Sequence, residues 1–380
     1  MIFACRGGGV RAVHRRWVRS TGSTRGGAVS ESPIAIVHNE PIGPTGDFSE
    51  ASCDVLDQVN AVEQSLATLG RRAIRIAFTR DVGAFVNSVE ERDIRCAFNL
   101  SETVEEDPGL VGHPAAVMDL LGISYTGSPA WTLAITTDKV LTKHVLVAQG
   151  ISTPRYEMYD GAVPPKVIDL RFPVIVKPRC QDASIGIDQD SVFLDQRRLR
   201  KALPGFRERF GPLIVEEYIA GREFNISLFG YPSARVFPIA EICFDDFPSE
   251  LHSIVGYRAK WEKDSFEYGH TPRIFPRDLP KALNKEIQDT AIKCFRSFGL
   301  RDYGRVDIRV DPGGHVYVLE VNANPCISLD AGFPASLTEG GIPYDGFVGS
   351  LLGFAEERFG YMAPSHHGAK RSGRTLVNSD

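Results

Sequence analysis

The sequence predicts an α/β protein that opens with a small parallel domain and continues into sheet-rich segments ending in an antiparallel hairpin. Three observations carry this. Near the start, apolar residues recur at helical spacing between two short apolar runs, and over 304–310 apolar and charged residues alternate strictly. The composition is that of a folded chain: 380 residues, 43% hydrophobic and 24% charged, enough for two or three domains of about 100 to 200 residues each. The net charge is −5, with 43 Lys plus Arg against 48 Asp plus Glu, so no global basic field exists to hold nucleic acid or an anionic membrane. No stretch reaches the roughly 18 apolar residues that span a bilayer, and the N-terminus lacks an apolar signal-peptide core. A soluble chain is expected, without nucleic acid or membrane as partner. Seven cysteines, an odd number, lie far apart with no C-x-x-C pair, which favours a reducing compartment, the cytoplasm, over a disulfide framework or a zinc site.

Residues 1–30 carry six arginines and no acid, with no apolar period, and are expected to form a disordered tail. A transit peptide shares that Arg-rich, acid-poor character, but the plain tail is the preferred reading. Removing the +6 of this segment from the net −5 leaves −11 for the remainder. A second polar tail is expected over 363–380. Between the tails, Ile34 to Val37 reads as a short buried strand, followed by a polar loop through Asn39, Glu40, Gly43 and Gly46. Val55, Val59, Val62, Leu66 and Leu69 then mark a helix, with Gly70 just past its end, and Ile74 to Phe78 returns as a strand. That is a β-α-β unit. A strand near 94–100 and a helix opened by Pro114 and closed by Gly122 extend it. The first loop lacks G-x-G-x-x-G, so a dinucleotide site is not favoured.

Farther on, a helix is expected from Thr137 to Gln149, then a strand from Phe172 to Lys177, a polar loop from Pro178 to Gly186 and a strand from Leu213 to Glu217. A strand from Phe224 to Gly230 precedes a long irregular region reaching Pro280. A helix with Leu283, Ile287, Ala291, Phe295 and Phe298, closed by Gly299, leads into the hairpin over 304–322.

In that hairpin Val306, Ile308 and Val310 face a core and Arg305, Asp307 and Arg309 face the other side. A two-residue turn at Gly313-Gly314 puts Asp307 opposite Glu320 and Arg305 opposite Asn322; a turn at Pro312-Gly313 would shift that register. Two like charges at cross-strand distance destabilise a sheet unless a cation lies between them. Asp, Glu and an Asn carbonyl are oxygen ligands suited to Mg²⁺ with phosphate oxygens completing the shell. The alternative is an exposed hairpin in which Arg305 and Arg309 neutralise the acids. Other segments supply what nucleotide chemistry needs: Lys177 at the end of an apolar strand, Lys139 on a helix, small residues over 183–186 whose N–H groups can approach phosphate, and Leu213 to Ile219 as an apolar slot with Glu223 beyond it.

The order of five motifs resembles the ATP-grasp carboxylate-amine ligases, and among them the D-alanine-D-alanine ligase branch, over roughly residues 33–355. They are Tyr125 to Ser128, Thr137 to Lys139, Phe172 to Pro178, Glu216 to Phe224, and Tyr303 to Asp307 with Leu319 to Pro325. The resemblance implies an N-terminal parallel α/β domain (31–129) followed by two domains (130–217 and 218–362) clasping ATP between antiparallel sheets. It also implies that Lys139 and Lys177 hold ATP phosphates, Glu216, Glu217 and Ile219 the adenine, and Glu223 the ribose. Asp307, Glu320 and Asn322 would hold two Mg²⁺ ions, with Mn²⁺ as a substitute. A substrate carboxylate would take the γ-phosphoryl group to give an acyl phosphate, and the amine of a second small molecule would then add. Arg305 and the Cys326 backbone N–H would meet the oxyanion, Lys260 would hold a phosphate or a substrate carboxylate, and Ser184 would belong to a loop over 178–186 that, with 250–275, excludes water. Branch relatives are commonly dimers, so a homodimer is the implied state.

Where the branch handles D-alanine, this sequence departs. Ala183 and Ala331 replace two serines, Trp261 replaces a lid tyrosine beside a retained Lys260, and Cys326 replaces a glycine. Sites built on hydrogen bonds to a small polar substrate discriminate by roughly 10⁴ to 10⁵, so D-alanine is disfavoured for both positions. Glu40 or Glu50 is the candidate for binding a substrate amine. The leading expectation is a ligase joining an amino acid or related carboxylate to an amine in specialised metabolism. D-alanine-D-alanine ligase and a catalytically silent nucleotide-binding protein are the alternatives.

Overall fold

The computed structural model describes residues 32–41, 48–161, 163–165 and 168–362, so both expected tails and Gly43 and Gly46 lie outside the described residues. The chain begins with β1 (Ile34–Asn39), α1 (Ser49–Thr68), β2 (Ala73–Phe78), α2 (Val82–Glu91), β3 (Cys96–Asn99), α3 (His113–Leu121) and β4 (Ser124–Tyr125). The strands form a parallel sheet in the order β2-β1-β3-β4. Its helical crossovers follow from the sequence: Val55, Val59, Val62 and Leu66 of α1 are buried against the sheet, and Gly70 and Gly122 take the left-handed conformation that ends α1 and α3. Leu69 is 41% exposed and caps α1 rather than continuing its stripe. The sequence reading did not identify α2, whose buried anchors are only Phe85 and Val89.

The helix expected from Thr137 to Gln149 forms over a slightly shorter range, and a second helix that the sequence did not announce precedes it. That earlier helix is α4 (Ala130–Thr137), and α5 (Lys139–Ala148) starts two residues after Thr137 because Asp138 leaves the helical conformation and its carboxylate accepts from the N–H groups of Val140 and Leu141. Next come β5 (Tyr156–Tyr159), β6 (Val174–Pro178), β7 (Val192–Phe193), α6 (Gln196–Phe210) and β8 (Leu213–Glu217), an antiparallel sheet ordered β5-β8-β6-β7 with one helix.

The third sheet is built from β9 (Arg222–Gly230), β10 (Arg235–Val236), β11 (Ala240–Ile242), β12 (Arg273–Ile274), β13 (Asp302–Val310) and β14 (Val316–Asn322), in the order β12-β11-β9-β13-β14 with β10 beside β9. The region read as irregular up to Pro280 thus supplies three short strands, and also α7 (Tyr257–Trp261) and α8 (Phe266–Gly269). Helix α9 (Lys281–Ser297) covers one face through Ile287, Ala291 and Cys294. After α10 (Gly332–Glu339), α11 (Tyr344–Met362) returns to the first sheet, where Phe347, Val348 and Leu351 share a core with Ile34, Ile36 and Val59.

The hairpin register was reached by two departures that cancel. The turn is not the two-residue Gly313-Gly314 form: Asp311 pairs with His315, Gly314 donates to the Asp311 carbonyl at 2.9 Å, and Gly314 has φ 85, so three residues form the loop. That shifts the ladder by one. A bulge at the Asp307/Ile308 step then restores it, leaving Asp307 opposite Glu320 and Arg305 opposite Asn322.

Candidate active site

Strand alternation decides which side chains reach the space between the two antiparallel sheets. On β6, Val174 and Val176 join a core with Leu199, Leu203 and Val215, which leaves Ile175 and Lys177 on the other face. On β9, Phe224, Ile226 and Leu228 enter the main core, so Glu223 and Asn225 face the same way as Asp307 and Arg309 of β13, with which they pair in register. A cavity of about 1090 Å³ lies there, and the sequence-predicted site residues line it, apart from Glu216 and the two candidates for a substrate amine, Glu40 and Glu50.

Glu216 lies directly behind that lining, 1% exposed, where its Oε2 accepts from Lys177 at 3.1 Å and lies 3.3 Å from the buried Lys143 ammonium. Its Oε1 is buried with no hydrogen-bond partner. Burial opposes the charge of Glu216, but Lys143 and Lys177 hold its carboxyl below the ordinary value. Lys143 shows the converse, since burial brings its pKa down to about 8. Glu217 is also buried; its Oε1 accepts from the Arg171 N–H at 2.9 Å. Glu223 is held through Oε2 by Arg309, which also donates to the Ile219 carbonyl at 2.9 Å.

The hairpin acids differ in their surroundings. Arg305 grips both oxygens of Asp307 at 2.8 Å, and Asn225 Nδ2 adds a third bond at 2.8 Å. Glu320 has no such hydrogen bond or ion pair among the described residues. Burial pushes its carboxyl up, yet Lys139, Arg305, Lys260 and Lys177 together hold it below the ordinary value. Four cations therefore converge on one carboxylate. Asn322 Oδ1 accepts from the Asn324 N–H at 3.0 Å, and one lone pair remains. Among the described residues no group of three His, Cys, Asp or Glu could hold a metal; the donors gathered here are two carboxylates and an amide oxygen.

Two segments cover this region and bond to each other. Ser184 Oγ donates to the Val255 carbonyl at 2.8 Å, and Trp261 Nε1 to the Ala183 carbonyl at 2.9 Å. Ala183 and Ser184 have φ of 56 and 61, a conformation that non-glycine residues adopt at some energetic cost. Lys139 donates to the Gln181 carbonyl and lies 3.4 Å from Asp182, which ties the same loop to α5.

Neither Glu40 nor Glu50 lines the cavity. Glu40 is exposed, and Glu50 accepts from Tyr257 Oη at 3.1 Å. Instead Asp54 and Glu102 line it, bridged by the buried Gln58, whose Nε2 donates to both at 3.1 and 2.9 Å. Cys326 Sγ donates to Asp54 at 3.0 Å. Burial, then the neighbouring Asp54, pushes the Glu102 carboxyl up to about 7. The only signal for Asp54 in the sequence is its place next to Val55, at the margin of the apolar stripe of α1. Glu102 lies in a loop with no pattern at all.

Two antiparallel sheets around a cation-lined cavity, preceded by a parallel sheet, define the ATP-grasp class of carbon–nitrogen ligases. The family model described as D-ala D-ala ligase C-terminus matches residues 150–353, and the chain belongs to the D-alanine-D-alanine ligase family. It is 31% identical to the D-alanine-D-alanine ligase of Thermotoga petrophila over 296 residues, covering 77% of this chain and 89% of that protein. It is 29% identical to the uncharacterized protein y4sG of Sinorhizobium fredii, covering 69% and 75% respectively. The crystal structure of D-alanine-D-alanine ligase from Bacillus anthracis complexed with ATP has the same fold, with TM-score 0.66, 21% identity and coverage of 87% and 99%.

Proposed function

We propose that the chain joins an amino acid or related small carboxylate to an amine, using ATP and passing through an acyl phosphate. The observation that carries this is the convergence of Lys139, Lys177, Lys260 and Arg305 on Glu320, which faces Asp307 across the ladder in a single cavity. A site with that many cations around one unpaired acid is matched to a polyanion bound with a divalent ion.

Lys139 and Lys177 serve the phosphates. The orphaned Glu216 Oε1 accepts from the exocyclic amine of adenine, the backbone at Glu217 and Ile219 reads the same edge, and Glu223 Oε1, outside the Arg309 grip, takes the ribose. Asp307, Glu320 and Asn322 fit Mg²⁺, or Mn²⁺ in its place, because all three offer hard oxygen. When bound, such an ion neutralises charge on the phosphates during transfer. Arg305, anchored through Nε and Nη2 to Asp307, keeps its Nη1 outside that grip, to meet the oxyanion with the Cys326 N–H. The Ala183, Ser184 and Trp261 contacts shield the acyl phosphate from water while it waits for the amine.

The test is phosphate release from ATP and Mg²⁺ with a panel of D- and L-amino acids in pairs. Release with a pair other than D-alanine with itself supports the reading. Release with D-alanine alone favours the activity for which the relatives are named. Release with no pair favours a silent nucleotide-binding protein.

A further inference from the structure

Arg309 is 3% exposed, and each of its three nitrogens has a partner on the wall of the cavity. Nε and Nη2 both donate to Glu223 Oε2, at 3.0 and 2.6 Å. Nη2 also donates to the Ser253 carbonyl, while Nη1 donates to the Ile219 carbonyl at 2.9 Å and reaches Tyr218 Oη at 3.5 Å. These contacts take up all the donors that a guanidinium has. The rings of Tyr218 and Phe244 lie beside it, with centroids 5.5 and 5.6 Å from Cζ. Two backbone carbonyls and two rings therefore fix its plane without help from Glu223.

Two other arginines of this sheet grip an acid differently. Arg305 engages both oxygens of Asp307, and Arg222 engages both oxygens of Glu241 at 2.6 Å each, in the two-oxygen form that is strongest for such pairs. All three use Nε and Nη2. Only at Glu223 does that edge close on a single oxygen, and Oε1 is left with no hydrogen bond among the described residues. Unlike the orphaned Oε1 of Glu216, it is not sealed from the cavity that Glu223 lines. The Ile219 and Ser253 carbonyls keep the guanidinium from swinging over to it. Ser253 also belongs to the segment over the cavity, where Ile254 shares a small core with Ile175 and Val255 accepts from Ser184. One buried side chain thus joins the acid, the exit of β8 and the cover.

Resting on the nucleotide part of the reading above, we infer that Arg309 is a positioning residue for the sugar: it holds Glu223 by one oxygen and leaves the other turned to the ribose hydroxyls, so that the site selects a ribonucleotide over its deoxy counterparts. A two-oxygen fork like that at Asp307 would draw the whole carboxylate to the arginine. The single-oxygen grip keeps it both anchored and available.

Calorimetry of ATP, 2′-deoxy-ATP and 3′-deoxy-ATP with Mg²⁺ on the full chain reads this selectivity without turnover. Wild type is expected to bind ATP about 10- to 100-fold more tightly than at least one deoxy form, the range for a hydrogen bond to a charged group. Arg309→Met, which removes every donor, should abolish most of that ratio. Arg309→Lys should fall between, since it keeps the charge but not the planar fork that spans the acid and both carbonyls. A merely structural role would weaken all three nucleotides alike, so a ratio unchanged in both variants overturns the inference. So does a wild type that binds the deoxy forms as well as ATP, or binds none of the three. Should Arg309→Met fail to fold, Arg309→Lys is compared with Glu223→Gln, which should flatten the ratio by itself. Arg309→Lys added to Glu223→Gln should then change the ratio no further, and a further change overturns the assignment. Phosphate release with no amino-acid pair would sink the ligase reading alone, because the binding ratios decide the role of Arg309 by themselves.

Discussion

Arg305 and Asp307, two residues apart on β13, are locked by a pair of 2.8 Å hydrogen bonds, and across the ladder from Asp307 stands Glu320, which no arginine or lysine engages directly. The arginines of this strand do neutralise acids, Arg305 with Asp307 and Arg309 with Glu223, but neither removes Glu320 from the cavity.

Replacing Glu320 with Gln should therefore lower turnover by roughly 100-fold or more, because it removes the negative charge and one of the two oxygens of the acid freest to meet the ion. Asp307→Asn should also release the anchor of Arg305 and cost at least as much. Calorimetry of ATP binding with and without Mg²⁺ separates the effects: the Mg²⁺-dependent increment should vanish in both variants.

The bulge at Leu319 deserves its own test. Deleting Leu319 removes the extra residue between Val318 and Glu320, so the ladder runs without interruption and Glu320 stays opposite Asp307, and Asn322 opposite Arg305, on the cavity side. Nucleotide binding is therefore expected to survive the deletion in calorimetry, and its loss would show that the bulge itself shapes the site. Inserting a residue in the 311–315 loop should also be tolerated.

Lys143 and Glu216 are each 1% exposed. Breaking one side of a buried ion pair typically costs about 3 to 5 kcal/mol. Lys143→Met should come out near the low end, because Lys177 still reaches Glu216. The double variant Lys143→Met with Glu216→Gln should recover part of the loss in a denaturant titration, while ATP affinity falls further than in the single variant.

Glu102 predicts a pH dependence of stability. Its folded pKa is raised from 4.5 to about 7, so between those values the folded chain holds the proton and the unfolded chain does not. Stability from this group is then lost as pH rises from 4.5 toward 7. Wild type should lose stability relative to Glu102→Gln across that window, read as the difference between their unfolding midpoints.

Trp261→Phe removes one hydrogen bond to the Ala183 carbonyl, worth about 1 kcal/mol. That favours the open cover by roughly fivefold. More phosphate should be released per amide formed, because water then reaches the acyl phosphate. A variant with unchanged coupling would remove Trp261 from the cover.

The sequence alone determined the elements with strong local period: β1, α1, β13 and β14 announce their buried faces through spacing, and the alternation of β13 already places Arg305, Asp307 and Arg309 together. It also determined the pairing of Asp307 with Glu320, although by way of a turn that does not form. Elements with few anchors, such as α2 and the short strands β10 to β12, were invisible because their conformation comes from neighbours and not from their own residues. The Asp54–Gln58–Glu102 bridge, the burial of Lys143 with Glu216, and the bond from Arg309 to the Ser253 carbonyl join residues far apart in the chain. Only the packing of three sheets brings such residues within hydrogen-bond reach, since side-chain forces of this kind act over a few ångströms while spacing along the chain says nothing of distance across it.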